Sequence, residues 1–175
     1  RLEGAYTDTL TNHDVEIFHE RAVLTGPNSL RLASGREVTA DKILIATGAR
    51  PAMPGLDGIE HAISSNEVFH LPELPKRILI AGGGYIANEF AGIFHEFGSH
   101  VTLVNRTDVI LRQYDQQLVD RLLQISLRKG IDFKFNATID RIERREDGTL
   151  HVAMTGCDDL EVDQVLFATG RQPNT

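Results

Sequence analysis

The 175-residue sequence has 18 Lys and Arg residues against 25 Asp and Glu residues, a formal net charge of −7, and 41% hydrophobic residues. That apolar content excludes an intrinsically disordered chain, and the acidic balance argues against nucleic-acid binding, which depends on clustered Lys and Arg. No apolar run reaches the length of a membrane span and no signal segment opens the sequence, so we expect a soluble protein without a membrane partner. The single Cys allows no internal disulfide and matches no zinc spacing, which favours a reducing, cytoplasmic location.

The first 75 residues predict short elements followed by a connection. The pattern indicates a helix end at 1–12, short strands at 14–24 and 29–32, and an apolar strand over 42–46 that runs into Ala-Thr-Gly. Residues 51–75 are rich in proline and predict a linker with one short helix, because Ser64 and Glu67 have the spacing of a capping box. The sequence opens on Arg rather than Met, so we expect it to be a piece of a longer protein.

From residue 76 the pattern alternates between strands and helices. Apolar strands are predicted at 78–81, 101–104 and 131–135, separated by one helix that ends at Gly98 and a second between Asp115 and Gly130. Strand-like alternation follows over 137–160 with a hairpin signal at Asp147-Gly148, and a last strand at 165–168 runs into a second Ala-Thr-Gly. The fold predicted is therefore α/β, with a parallel sheet, crossover helices and a β-meander.

The strand at 78–81, the turn after it and the following helix contain a dinucleotide fingerprint, Gly82-x-Gly84-x-x-Ala87. In such a motif the first glycine permits a tight turn, the second lets the backbone approach a pyrophosphate, and the small third residue lets helix and strand pack closely. The N-terminus of the helix offers free N–H groups to the phosphates. A glycine-rich turn alone is weak evidence, but the strand before it and the amphipathic helix after it favour a dinucleotide site.

The strand tip at 104–106 indicates which dinucleotide is bound. NAD sites place a carboxylate there to bind the ribose 2′-hydroxyl, whereas this sequence has Asn105 followed by Arg106, with Arg112 six residues beyond. Guanidinium groups bind phosphate in bidentate fashion, so the pattern favours NADPH over NADH. The alternative is that both arginines are solvated loop charges and that Asp108 neutralises one of them.

Taken together, the stretches GGGYIANEFAG, VNRTDVILRQYD and ATGRQPNT resemble the class I pyridine nucleotide-disulfide oxidoreductases over nearly the whole sequence. Among the branches of that family the sequence most resembles the one that reduces glutathione disulfide. The resemblance implies an FAD/NAD(P)-binding Rossmann-like fold in which residues 1–50 form the rear of an FAD domain and 51–75 a linker. Residues 76–168 would form the NADPH domain, and 169–175 would begin the return to the FAD domain.

The resemblance also implies roles for individual residues. Tyr85 would cover the nicotinamide pocket, and Glu89 would pair with a lysine beside the flavin. NADPH contacts are implied at Gly82, Gly83, Gly84, Ile86, Ala87, Arg106, Arg112 and Gly170, and flavin contacts at Ala22, Thr47, Gly48 and Arg171. From the residues alone, packing of Tyr85 and a helix-dipole role for Glu89 remain open alternatives. The seven His residues show no metal spacing, and Cys157, among acidic neighbours, is expected to be structural.

The implied reaction passes a hydride from NADPH to FAD and then electrons to a cysteine pair that reduces glutathione disulfide, in a homodimer. The sequence contains no cysteine pair, so we expect the fragment alone to bind NADP(H) without turnover. The alternatives are the same family acting on trypanothione, mercuric ion or lipoamide, and a non-catalytic nucleotide-binding module. Lipoamide is disfavoured, because that branch has Glu at the position of Asn105 and lacks the two arginines.

Overall fold

The computed structural model describes residues 2–174 and consists of two compact units, one ending at Ala46 and the other beginning at Thr47. The first unit contains helix α1 (Leu2–Thr11) and an antiparallel meander of three strands in the order β1-β2-β3. These strands are β1 (Ala22–Gly26), β2 (Ser29–Leu32) and β3 (Glu37–Thr39). The predicted helix end and second strand are thus present, whereas the first strand begins at residue 22 rather than at 14.

The second unit is built on a five-stranded sheet in which every pairing is parallel, as predicted. In spatial order its strands are β5 (Ile63–Ser64), β12 (Gln164–Phe167), β6 (Arg77–Ala81), β7 (His100–Asn105) and β8 (Asp132–Phe135). The crossover helices are α2 (Tyr85–Glu96) and α3 (Gln116–Lys129). The antiparallel meander is β9 (Thr138–Arg144), β10 (Leu150–Thr155) and β11 (Leu160–Val162), and β4 (Ala49–Pro51) pairs with β13 (Arg171–Pro173).

Local sequence explains where the helices begin and end. Helix α3 starts because the Asp115 carboxylate accepts hydrogen bonds from the backbone N–H groups of Gln117 and Leu118 at 3.0 and 3.2 Å. It ends at Gly130, whose φ of 103° lies in the left-handed region that favours glycine. Helix α2 starts differently, since Gly84 precedes it and supplies no side-chain cap.

The parallel sheet lies between two layers with separate apolar cores. Alternate residues of β6 point to opposite faces, so that Ile78 and Ile80 pack against the helices while Leu79 packs against the meander. Phe94 of α2 completes the helical side and Val152 of β10 the meander side. The sheet is therefore covered on both faces, as a parallel sheet requires, and its strand ends are left open for a site.

Two parts of the sequence-based description differ from the structure. The strand expected over 42–46 is absent, and Leu44 is 89% exposed; an extended segment needs a neighbour to pair its backbone, and no described residue lies beside it as a strand. Residues 51–75, expected as a linker, contribute the edge strand β5 and two short 3₁₀ segments, Ile59–His61 and Glu67–His70. The Glu67 carboxylate accepts a hydrogen bond from the Ser64 backbone N–H at 2.8 Å, so the capping-box spacing did mark a helical turn.

Among the described residues, no helix is both long enough and apolar enough to cross a membrane.

Candidate functional site

The glycine loop between β6 and α2 contains three glycines that differ in why a side chain is excluded. A Cβ atom on Gly82, which has a φ of 132°, would lie 2.4 Å from the carbonyl oxygen of Ala168. On Gly83 it would lie 2.9 Å from the carboxamide of Asn105. On Gly84 it would meet no protein atom within 4 Å, and the φ of −83° there is accessible to any residue. Only Gly84 therefore lacks an internal reason to be glycine, and it leaves an open cradle for a ligand.

Backbone hydrogen bonds hold this loop in one conformation. The N–H of Gly82 donates to the carbonyl of Val104 at 2.9 Å, and the N–H of Leu111 donates to the carbonyl of Gly83 at 2.7 Å. The Asn88 side chain donates to the carbonyl of Gly84 at 2.8 Å. The carbonyls of Gly83 and Gly84 are thus engaged within the protein, while no described side chain caps the N–H groups of the first turn of α2. An uncapped helix N-terminus beside an open glycine fits an anionic group such as a pyrophosphate.

A cleft of about 810 Å³ opens at the carboxyl ends of β6, β7 and β12 and includes the glycine loop. This is the edge at which open α/β sheets bind ligands. Of the predicted site residues, the lining includes Gly82, Gly83, Gly84, Tyr85, Ile86, Arg106, Arg112, Gly170 and Arg171. Ala87 lies beneath the loop, fully buried, where its small side chain lets α2 pack on the sheet.

The charge of the cleft is opposite in sign to that of the chain. Its described lining contains three arginines, Arg106, Arg112 and Arg171, and no carboxylate. Asp108 forms no ion pair with Arg106 or Arg112 within the described part of the chain. Two cationic side chains at the tip of β7 can therefore bind a phosphate group that lies beyond the glycine loop.

Tyr85 and Glu89 lie on one face of α2, one helical turn apart. Tyr85 is 53% exposed and lines both the main cleft and a second, more apolar cleft of about 630 Å³ along α2. Glu89 is exposed and lines only the second cleft, together with Ile93, Phe97 and Tyr114. The tyrosine ring can lie against a planar group in either cleft, and the Glu89 carboxylate beside it forms no ion pair with a described residue.

The strands that follow the two Ala-Thr-Gly segments form a two-stranded ribbon, with one segment at each end of it. Strands β4 and β13, which directly follow the two segments, pair in antiparallel fashion. Thr47 and Asn174 are joined by hydrogen bonds through both side chains, one of them 3.2 Å from the Asn174 amide to the Thr47 carbonyl. Gly48 and Gly170 have positive φ angles of 74° and 135°, and the space at Gly170 is open. The backbone of this ribbon can thus be approached closely by a ligand.

Two other residues that the sequence singled out are not among those that line the cleft. Ala22 is the first residue of β1 in the first unit and is exposed. Cys157 is partly buried, with its sulfur 3.8 Å from the sulfur of Met154. Burial raises the pKa of the Cys157 thiol, and Asp158 and Asp159 add to the effect, so it is a poor nucleophile near neutral pH. Within the part of the chain described, no group of three His, Cys, Asp or Glu side chains is arranged to hold a metal ion.

The model of the pyridine nucleotide-disulphide oxidoreductase family matches residues 1–175. The chain belongs to this family. It is 47% identical over its whole length to a glutathione reductase of Burkholderia cepacia, of which it covers 38%. It is 45% identical over 139 residues to a trypanothione reductase of Trypanosoma congolense, with 78% of this chain and 28% of that protein aligned. The solved structure of an HOCl-induced flavoprotein disulfide reductase from Escherichia coli matches with a TM-score of 0.83 and 32% identity, over 99% of this chain and 40% of that one.

A pyridine nucleotide-disulphide oxidoreductase uses a nicotinamide dinucleotide together with FAD, and the residues present fit the first of these groups well. The open position at Gly84, the uncapped start of α2 and the arginine-lined cleft all suit a phosphorylated dinucleotide. For FAD the fit is partial. Gly170 offers open backbone, but Thr47 and Arg171 already bond within the β4–β13 ribbon.

Residues that the sequence patterns did not single out also shape this site. Asn88 holds the glycine-loop carbonyl, and Asn105 and Thr107 form hydrogen bonds around the loop that contains the two arginines. The sequence marked Asn105 only as a missing carboxylate. No spacing rule identifies an amide as a donor to its own loop, so contacts of this kind become visible only in the structure.

Proposed function

We propose that this chain is the NADPH-binding part of a flavin-dependent disulfide reductase whose substrate is glutathione disulfide. The observation on which this rests is the cleft at the β-strand ends, where the open cradle at Gly84 and a carboxylate-free lining with three arginines occur together. No described protein contact requires the space at Gly84, and none of the three arginines forms an ion pair with a described carboxylate. Together they suit a ligand that has both a pyrophosphate and a further phosphate.

The choice of NADPH over NADH is supported by the tip of β7. NAD sites place a carboxylate there for the ribose 2′-hydroxyl, whereas this chain has Asn105, and the described lining of the cleft contains no carboxylate. Arg106 and Arg112 instead present cationic donors on the cleft side. Hydrogen bonds to charged groups contribute about 1.5–3 kcal/mol each, so one arginine suffices for roughly tenfold discrimination in favour of the 2′-phosphate.

Further roles follow for the residues of α2 and of the ribbon. Tyr85 would cover the nicotinamide end of the ligand and exclude water from it, since its exposed ring borders both clefts. Glu89 would orient a basic group beside the flavin. Contacts with FAD or with the edge of the nicotinamide would come from the exposed backbone and side-chain donors of Ala22, Thr47, Gly48, Gly170 and Arg171.

When bound, NADPH supplies a hydride and FAD accepts it. This chain's own residues would bind and orient these groups. They do not supply a redox-active cysteine pair, because Cys157 is the one cysteine of the sequence and its thiol pKa is raised. A redox-active cysteine pair would therefore lie outside these 175 residues. The chain spans 38% of the length of the Burkholderia glutathione reductase, so the activity of the whole protein is a proposal that rests on this likeness.

The experiment that tests the proposal is NADPH oxidation by the full-length protein with four acceptors in parallel: glutathione disulfide, trypanothione disulfide, mercuric ion and lipoamide. We expect the highest kcat/KM with glutathione disulfide. A higher value with another acceptor would keep the family assignment and replace the substrate. NADPH binding without turnover on any acceptor would instead support a non-catalytic nucleotide-binding module.

A cytoplasmic location and a homodimeric full-length enzyme complete the proposal. The location is supported by the unpaired Cys157, which suits a reducing compartment, and the dimer by likeness to the glutathione reductase branch. Sedimentation of the full-length protein at several concentrations would test the dimer.

A further inference from the structure

The segment that connects β7 to α3 contains both candidate phosphate-binding arginines, and it is organised around one side chain. Asn105, the last residue of β7, is 8% exposed. Its amide nitrogen donates to the carbonyl of Thr107 at 3.0 Å, to the hydroxyl of Thr107 at 3.1 Å and to the carbonyl of Val109 at 2.9 Å. With two hydrogens for three acceptors, one N–H is shared between the two oxygens of Thr107. Residues 107–109 are thus wrapped around the buried amide.

Thr107 connects this buried amide to Arg112. Its hydroxyl donates to the carbonyl of Val109 at 3.3 Å and accepts a hydrogen bond from the guanidinium of Arg112 at 2.8 Å. Because the hydroxyl proton is directed to a carbonyl, the oxygen lone pairs are available to the arginine. Arg112 uses one of its five N–H groups in this contact, which leaves the others for an anion in the cleft.

The same segment is fixed relative to the glycine loop. Leu111 has a φ of 49°, unusual for a residue other than glycine, and its N–H donates to the carbonyl of Gly83 at 2.7 Å. The carboxamide of Asn105 lies so close to Gly83 that a Cβ atom there would be 2.9 Å from it. The position of Arg112 is therefore set with respect to the place where a pyrophosphate would bind.

We propose that Thr107 is a positioning residue for dinucleotide selection, which holds the Arg112 guanidinium ready for the 2′-phosphate. The inference rests on the proposed function, because it requires that NADPH occupies the cleft. An arginine that is already held loses less side-chain freedom when it binds a phosphate, so removal of the Thr107 hydroxyl weakens 2′-phosphate binding by roughly three- to tenfold. Binding of ligands without that phosphate stays unchanged.

The test is calorimetric titration of the full-length protein with adenosine 2′,5′-bisphosphate and with adenosine 5′-monophosphate, which differ only in the 2′-phosphate. Thr107→Val is expected to weaken the first ligand roughly three- to tenfold and leave the second unchanged. Thr107→Ser, which keeps the hydroxyl, restores the wild-type value. Once Arg112→Met is present, Thr107→Val adds no further loss, since the hydroxyl acts through that arginine.

Two controls separate positioning from a general structural role. Thr149→Val removes a hydroxyl bonded to Asp147 in the turn between β9 and β10, and it should change neither affinity. Thr107→Ala removes the same hydroxyl as Thr107→Val and gives the same test if thermal unfolding shows that the valine variant folds poorly.

The outcomes are distinct. Equal weakening of both ligands by Thr107→Val, an unchanged bisphosphate affinity, or additive losses with Arg112→Met would each overturn the role of Thr107 while the proposed function stands. Wild-type protein that binds the two ligands equally would overturn the proposed function, and this inference with it.

Discussion

At the scale of single residues, the three glycines of the β6–α2 loop differ in whether protein packing or space for a ligand accounts for the missing side chain. Gly82 and Gly83 are required by neighbours inside the protein, Ala168 and Asn105, and their contacts need no ligand to explain them. Gly84 has an ordinary φ and open space. The fingerprint predicts a tight turn at Gly82 and room for a pyrophosphate at Gly84, and the structure adds that Gly83 is required by Asn105 and that the space at Gly84 is open.

Substitution of Gly84 should therefore weaken binding at a small cost in stability. We expect Gly84→Ala to lower the free energy of unfolding by no more than about 1 kcal/mol, because the position is exposed and its φ suits alanine, and the cost comes from alanine being a poorer N-cap than glycine. NADPH affinity should fall by roughly tenfold or more, since the methyl group would occupy the cradle and lengthen charge-assisted hydrogen bonds to the phosphates. Denaturant unfolding and calorimetric titration measure the two effects.

Two further glycine variants serve as controls for Gly84→Ala. Gly82→Ala should destabilise the protein, because the φ of 132° is strained for alanine and the methyl group would meet the Ala168 carbonyl. Gly4→Ala, in α1 with open space around it, should leave NADPH affinity unchanged. If Gly84→Ala lowered stability as much as Gly82→Ala does, the cradle would be a packing feature.

At the scale of elements, local signals predicted the sheet and its crossovers and did not predict what depends on distant partners. Local sequence predicted the strand at 78–81, the Asp115 cap of α3 and the end of α3 at Gly130, because each depends on residues only a few positions away. The two-residue edge strand β5 was not predicted, since it forms only by pairing with β12, about 100 residues later in the sequence. The strand expected over 42–46 is absent for the converse reason: the segment has an apolar pattern, but no described strand lies beside it to pair with its backbone.

Asp163 joins two central strands of the sheet, and it makes stability depend on pH. Its carboxylate accepts hydrogen bonds from the Arg77 backbone N–H at 2.8 Å and from the Arg77 guanidinium at 2.6 Å. These bonds from Arg77 hold the pKa of Asp163 below its ordinary value. A lowered pKa in the folded state means that the charged form is stabilised, so the contribution is complete above the unfolded pKa of about 3.9 and is lost as the pH falls through the folded value.

Asp163→Asn is accordingly expected to cost about 1 kcal/mol in free energy of unfolding at neutral pH, because the pair is partly exposed and screened by solvent. The difference from wild type should shrink as the pH falls below about 4, where the wild-type carboxylate also loses its charge. Urea unfolding across that pH range measures both effects, and Asp158→Asn, at an exposed carboxylate, is the matched control. A difference that stayed constant with pH would assign the cost to shape rather than to charge.

At the scale of the whole molecule, the net charge of the chain is negative, whereas the charge of the cleft is positive. The net charge of −7 argues against binding to the phosphate backbone of nucleic acids, whereas the described lining of the cleft at the strand ends has three arginines and no carboxylate. The sequence predicts Arg106 and Arg112 as ligands of a 2′-phosphate because they follow the glycine loop at the distance where the motif binds the ribose. Arg171, about 60 residues further on, was implied only as a flavin contact by the family resemblance, and the structure adds that it lines the same cleft as the other two arginines.

The most direct test of the central claim, that this chain selects NADPH by its 2′-phosphate, is the ratio of dissociation constants for NADPH and NADH in the full-length protein. We predict NADPH to bind at least about tenfold more tightly, and Arg106→Met combined with Arg112→Met to remove most of that preference without weakening NADH. Equal affinities for the two dinucleotides in the wild-type protein, or a preference that survives the double substitution, would contradict the account.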